Sequence, residues 1–232
     1  MPNIADNLAA VEERIAAACN RAGRAPEDVQ LIAVGKKFPA PIIREAAEAG
    51  LTLFGENRVQ EAKAKISDCP GHLRWHFIGN LQTNKCRDAV ALFDFLHAVD
   101  SLHLAAELNK RCEQAAKVMP VLLEVNVSGE ASKHGFTPEA AVAAMDPFSD
   151  FPQLELHGLM TMAPFSRHPE SARPYFQKLR ELKNACEDKL GAPLPELSMG
   201  MSGDYEIAIE EGATLIRLGT TLFGPRAAAN KD

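Results

Sequence analysis

Val29-Gln-Leu-Ile-Ala-Val34, then Pro41 to Ala49, Gly50 and Leu51-Thr-Leu-Phe54, sets the pattern that organises this chain. The first stretch is short, β-branched and mostly apolar, which suits a strand covered on both faces. The second can form a helix, and the glycine after it relieves the left-handed backbone of a helix end. The third reads as another strand. Strand, helix, glycine, strand is the unit from which parallel α/β sheets are built.

The unit recurs outward in both directions. Upstream, Ile4, Leu8, Val11, Ile15 and Cys19 recur at helical spacing and Gly23 supplies a stop, so an extra amphipathic helix precedes the first strand. Downstream, Asn57 to Ile66 reads as a helix and Arg74-Trp-His-Phe-Ile78 as a third strand, with a short helix after Gln82. Phe95 to Val99 is a fourth strand, and Ser101 is a suitable N-cap for the helix carrying Leu102, Ala105, Leu108 and Cys112. Pro120 to Val127 is a fifth strand, and Thr137-Pro138 opens a helix running to Met145. Leu156 to Met162 is the sixth, followed by a long helix with Phe176, Leu179, Leu182 and Cys186 that ends near Gly191. Glu196 to Met199 and Ala213 to Leu218 are the last two strands, flanking a short helix from Asp204 to Glu211.

Eight strands in 232 residues make 232/8 = 29 residues per unit. The expected architecture is α/β, a single (β/α)8 TIM-type barrel over residues 1–232, because closure covers both faces of each strand and removes the sheet edges. An open doubly wound sheet is the competitor, but no glycine-rich dinucleotide fingerprint follows the first strand.

Composition narrows the function classes. Lys plus Arg total 25 against 31 Asp plus Glu, a formal charge of −6 with neither sign gathered into a block, which argues against a nucleic-acid partner. No stretch approaches the ~20 consecutive apolar residues of a membrane span, and the start lacks the layout of a secretory signal, so no membrane partner and a cytoplasmic location are expected. Five scattered cysteines without a C-x-x-C give neither a disulfide framework nor a zinc site. Cys19, Cys112 and Cys186 lie on helical apolar stripes and read as buried small hydrophobes.

In a barrel, polar residues at the C-terminal ends of strands converge on one mouth. These are Lys36, Gly55-Glu56-Asn57, Gly79 to Gln82, Asp100, Ser128 to Lys133, Ser198 to Ser202, and Arg217 to Thr220. Lys36 follows an entirely apolar strand, where desolvation frees the amine as a nucleophile for carbonyl compounds; an ordinary loop lysine beside Lys37 is the plainer alternative. Ser202 sits where it would cap the short helix, and Gly219-Thr220 offers open backbone plus a hydroxyl, together the parts of a phosphate cup. A plain cap and a tight turn would leave the same trace. A nucleophilic lysine and a phosphate cup on one mouth suggest pyridoxal 5′-phosphate (PLP), an aldehyde bearing a phosphate. A Schiff-base aldolase acting on a phosphosugar uses the same two parts. Arg217 separates the two, because a guanidinium aimed at a pyridine nitrogen can only donate and leaves the ring a poor electron sink.

Ala33-Val-Gly-Lys36, Phe54-Gly-Glu-Asn-Arg-Val-Gln-Glu61, Trp75-His-Phe-Ile-Gly-Asn-Leu-Gln-Thr-Asn-Lys85, Val125-Asn-Val-Ser-Gly-Glu-Ala-Ser-Lys-His-Gly135, Gly158-Leu-Met-Thr-Met162, Leu197-Ser-Met-Gly-Met-Ser-Gly-Asp204 and Ile216-Arg-Leu-Gly-Thr220 resemble, in order, the blocks of the pyridoxal phosphate homeostasis protein family. The resemblance spans essentially the whole chain. It implies a PLP-binding barrel similar to the N-terminal domain of bacterial alanine racemase. It further implies that Lys36 forms the Schiff base, Arg217 faces the pyridine nitrogen, Ser202, Gly219 and Thr220 hold the phosphate, and Asn57 lines the cofactor face. Where the family usually has serine before that lysine and threonine after it, this chain has Gly35 and Lys37, and the added Lys37 ammonium can alter how readily cofactor leaves. Asn80 stands where histidine or proline is commoner.

Racemases of this type take a second base from a tyrosine in a C-terminal β-domain of the partner subunit. Only eight residues follow Gly224 in this chain, and its tyrosines are Tyr175 and Tyr205. The expectation is therefore a monomer without efficient α-proton chemistry, holding PLP reversibly and passing it to PLP-dependent apo-enzymes. A slow PLP-dependent amino-acid racemase or lyase is the alternative.

Overall fold

The computed structural model describes residues 3–130 and 133–224. Eight parallel strands alternate with helices: α1 Ile4–Ala22, β1 Gln30–Val34, α2 Ala40–Glu48, β2 Leu53–Glu56, α3 Val59–Ile66, β3 Arg74–Phe77, α4 Cys86–Leu92, β4 Phe95–Val99, α5 Leu102–Gln114, β5 Met119–Glu124, α6 Pro138–Ala143, α7 Met145–Phe148, β6 Leu154–Met160, α8 Arg173–Leu190, β7 Glu196–Met201, α9 Tyr205–Glu210, β8 Leu215–Leu218 and α10 Thr220–Phe223. The strands close in sequence order, β8 returning to β1 with Gln30 opposite Leu215 and Ala33 opposite Leu218. This is the expected barrel. Because every neighbouring pair of strands is parallel around the closed barrel, all the C-terminal strand ends lie on the same rim.

The helix signals act as read. Gly23 and Gly191 adopt left-handed φ values of 65° and 70° at the ends of α1 and α8. Ser101 and Thr137 accept the backbone N–H groups of Leu104 and Ala140, each at 3.2 Å, at the starts of α5 and α6. Several boundaries differ by one or two residues from expectation, among them β2, which begins at Leu53, and β6, which is Leu154–Met160, and three differences bear on the site. The Asn57–Ile66 helix begins at Val59, leaving Asn57 and Arg58 in the β2–α3 loop. Strand β5 stops at Glu124 rather than Val127, because the Asn126 side chain turns the chain by accepting from Ser128 Oγ at 3.1 Å and from the Gly129 N–H at 3.0 Å. Ser202 does not cap α9: Asp204 holds the N-cap position, and its carboxylate accepts the Met201 N–H at 2.7 Å.

Two apolar clusters hold the layers together. The larger joins outward strand residues such as Ala33, Phe54, Leu96 and Ile216 to helix residues such as Leu8, Ile43, Leu108 and Phe176. The smaller draws only on strands, Ile32, Leu53, Phe95, Ala98, Leu122, Met160 and Leu215, and fills the barrel interior. Side chains alternate across a strand, so the inward positions above this plug, Ser198, Arg217, His76 and His97, fall toward the mouth. The five cysteines are all unpaired; four are buried and Cys69 is half-buried. Burial pushes the Cys112 and Cys186 thiols up to about 11 and Cys86 to about 12, which makes these thiols inert.

Candidate functional site

The mouth of the barrel opens into a cavity of ≈ 450 Å³, lined by Lys36, Asn57, Ser202, Arg217, Gly219 and Thr220 among others, a size suited to a small ligand. Every residue singled out as a cofactor contact therefore borders one space. Lys36 reaches it from the turn after β1, and Asn57 from the loop after β2. Ser202 and Gly203 come from the β7–α9 turn, Gly219 and Thr220 from the β8–α10 turn. Gly79 explains how Asn57 is seated: a Cβ there would lie 2.4 Å from the Asn57 carbonyl oxygen, so only glycine lets the β3–α4 loop press against it. The β6–α8 loop adds Met162, Ala163, Phe165 and Ser166, with Phe165 standing 94% exposed at the rim.

Arg217 sits beneath this space, 5% exposed, and is not a surface ion-pair partner. Its guanidinium donates to Ser198 Oγ at 2.5 Å and to the Thr161 carbonyl at 2.9 Å. Burial lowers it to about 10, with Asp204 and Glu124 opposing, so it remains a cation at neutral pH. Ser198 Oγ lies 2.9 Å from His97 Nδ1, and His97 Nε2 lies 3.0 Å from His76 Nδ1. Burial keeps both rings neutral, taking His76 down to about 3 and His97 well below its ordinary value. Each neutral ring has one donor and one acceptor, so every bond in the chain is satisfied when Ser198 Oγ, which accepts from Arg217, donates to His97 Nδ1 and the His97 Nε2–H donates to His76 Nδ1.

A smaller chamber of about 170 Å³ adjoins the cavity, lined by Asn80, Glu124, Asn126, Lys133 and His134 with Ile78 and Met162. Asn80 donates to Asp100 at 3.3 Å at this edge of the mouth. Of the Ser128 to Lys133 stretch only Lys133 faces this chamber among the described residues, while Ala131 and Ser132 lie outside them. The residues that follow Gly224 also lie outside the described part of the chain. Both tyrosines are away from the cavity: Tyr175 is on α8, and Tyr205, 1% exposed, starts α9.

Sequence reasoning did not single out His76, His97 or Lys65. The two histidines occupy inward positions of β3 and β4, a signal that strand alternation carries once the register is known. Lys65 lies on a helix, yet its ammonium is buried against Glu56 and the turn carrying Lys36.

A polar cup of hydroxyls and open backbone, a buried cation that only donates, and a lysine amine on the same space match in chemistry a phosphate, a basic ring nitrogen and an aldehyde. The comparisons with known proteins bear on the family and the cofactor. The model of the alanine racemase N-terminal domain matches residues 7–227. A protein of Aquifex aeolicus named pyridoxal phosphate homeostasis protein is 44% identical over 225 residues, covering 97% of this chain and 99% of that one. A Pseudomonas aeruginosa protein of the same name is 45% identical over 229 residues, covering 97% of each. The solved structure of PipY from Synechococcus elongatus PCC7942 with PLP bound superposes with a TM-score of 0.84 at 39% identity, covering 95% of this chain and 100% of that one. By sequence along its whole length and by fold, this chain belongs to the pyridoxal phosphate homeostasis protein family.

Proposed function

We propose that this protein binds PLP reversibly through a Schiff base with Lys36 and serves intracellular PLP homeostasis, supplying the cofactor to apo-enzymes without efficient catalysis of its own. The observation that carries the reading is the convergence of Lys36, Arg217 and the Ser202, Gly219 and Thr220 cup on one cavity of about 450 Å³. When bound, the cofactor supplies an electrophilic aldehyde that condenses with an amine and releases water.

Each residue then has a task set by its chemistry. The Lys36 amine retains the cofactor covalently and reversibly. Ser202, Gly219 and Thr220 present two hydroxyls and backbone groups to the phosphate, and Asn57 bounds the ring face. Arg217, anchored by Ser198 and the Thr161 carbonyl, keeps its own proton and donates toward the ring nitrogen, which holds that nitrogen unprotonated. A ring in that state is a weak electron sink. His97 and His76 are neutral and back the arginine rather than the reacting face, and among the described residues lining the cavity there is no tyrosine to act as a second acid or base. Retention without turnover follows, in a cytoplasmic monomer formed by one barrel domain.

Absorbance spectra before and after borohydride test the reading. The protein should take up PLP and turn yellow, borohydride should fix a pyridoxyl group on Lys36, and Lys36→Ala should lose the band. A band of wild-type intensity in Lys36→Ala would overturn the Lys36 assignment. Deuterium entering the α-position of alanine at an enzymatic rate in heavy water would replace the carrier reading with the racemase or lyase reading.

A further inference from the structure

The turn that carries Lys36 is held from behind by side chains that do not line the cavity. Gly35, Lys36, Lys37 and Phe38 form a reverse turn closed by the Phe38 N–H donating to the Gly35 carbonyl at 3.0 Å, with Lys37 in the third position at φ 68°. A residue with a side chain resists that left-handed conformation, so the turn requires support from its surroundings. The support comes from two residues one helical turn apart on α3. Lys65 Nζ donates to the Gly35 carbonyl at 2.7 Å, and the Glu61 carboxylate accepts the Lys37 N–H. The two peptide groups that flank Lys36 are thus each gripped by a charged side chain of one helix.

The grip is built at a cost the fold alone does not require. Lys65 is 5% exposed and Glu56 0% exposed, and Lys65 Nζ stands 2.5 Å from Glu56 Oε1 and 3.5 Å from Glu61 Oε1. Glu56 Oε2 is buried with no hydrogen-bond partner among the described residues. Well-packed apolar side chains of similar volume usually serve stability as well as a buried ion pair does. What such side chains could not do is hold a carbonyl and an N–H on either side of one residue.

We propose that Lys65 and Glu61, backed by Glu56, are positioning residues for Lys36: a clamp on its backbone that fixes the point from which its amine meets the PLP aldehyde. The inference rests on the reading of Lys36 as the Schiff-base residue. It concerns the covalent half of cofactor retention and leaves the phosphate cup and Arg217 untouched.

Glu61→Ala is the test, because Glu61 is only partly buried, its side chain 26% exposed, and its loss leaves the buried Lys65–Glu56 pair in place. In the ligand-free protein, the Lys37 amide should exchange with deuterium about tenfold faster while the β2 amides keep their wild-type rates. Binding is then compared for PLP and for pyridoxamine 5′-phosphate, which has the same ring and phosphate but an amine in place of the aldehyde. PLP affinity should fall about tenfold, the equivalent of one hydrogen bond, and pyridoxamine 5′-phosphate affinity should stay within about twofold. Glu61→Gln, which keeps an acceptor oxygen, should recover most of the loss. Equal weakening of both ligands, or unchanged PLP affinity, would overturn the clamp. Lys36→Ala distinguishes this from failure of the underlying reading: if it binds PLP as tightly as wild type, the Schiff-base assignment fails, and the clamp's role fails with it.

Discussion

Ser198→Ala removes one hydroxyl and strands two buried groups. Arg217 loses its 2.5 Å acceptor, and His97 Nδ1 loses its 2.9 Å partner. A hydrogen bond to a charged group contributes about 1.5–3 kcal/mol, and an orphaned buried polar atom costs about 1–3 kcal/mol. The two losses are not borne equally. Arg217 borders the cavity and can take a water in exchange, and it keeps the Thr161 carbonyl at 2.9 Å. His97 is 0% exposed and has no such recourse. The net cost is therefore about 2 kcal/mol, which for a chain of this size lowers the melting temperature by roughly 4–8 °C. Calorimetry of the ligand-free protein measures it. Thr161→Val is the matched control, since it removes only the hydroxyl bond to the Val125 carbonyl at 2.7 Å and keeps the carbonyl that holds Arg217. PLP affinity should weaken in Ser198→Ala by about tenfold and change little in the control. A melting temperature within about 1 °C of wild type together with unchanged PLP affinity would refute the claim that Ser198 and His97 hold the arginine.

Arg217→Glu should favour a protonated ring nitrogen and ease α-proton loss, so alanine incubated with the PLP-loaded variant in heavy water should exchange its α-hydrogen faster than with wild type, as read by NMR. Burial, opposed by Lys65, raises the Glu56 carboxyl to about 7 from 4.5, while Glu61 raises it and Lys36 lowers it from either side. The folded protein thus keeps this proton through a pH range where the unfolded chain has lost it. The stabilisation is complete below pH 4.5 and falls away as pH rises to about 7. Glu56→Gln should remove this dependence, so wild-type stability measured against the variant by urea unfolding should fall across that window. Cys69 is half-buried while Cys19, Cys86, Cys112 and Cys186 are buried, and burial raises the Cys69 thiol as well, so a thiol reagent should modify Cys69 slowly in the native protein and the others only on unfolding.

The helical and strand periods carried the fold because they are local. Val29 to Val34 and Pro41 to Ala49 each show their period within one window, and caps such as Ser101 and Gly191 act within four residues of themselves. Boundaries moved where a side chain's own hydrogen bonds outweighed the period, as those of Asn126 do at the end of β5. Lys36, Arg217, Ser202, Gly219 and Thr220 were legible as candidates because a barrel sends every strand end to one rim. Ser202 was legible for the wrong local reason, since Asp204 takes the cap and Ser202 is left to face the cavity.

His97 and Lys65 show the limit of such reading. A histidine in a strand and a lysine on an amphipathic helix have the same local sequence whether they meet solvent or core. Only closure of the sheet brings His97, on β4, within 2.9 Å of Ser198, on β7, across 101 positions of chain. Only the packing of α3 behind the first turn sets the Lys65 ammonium on the Gly35 carbonyl. Residue type and period determine which chemistry is available and which elements form. Which partner satisfies a buried charge depends on distances between elements far apart in the chain, and those exist only in the closed barrel.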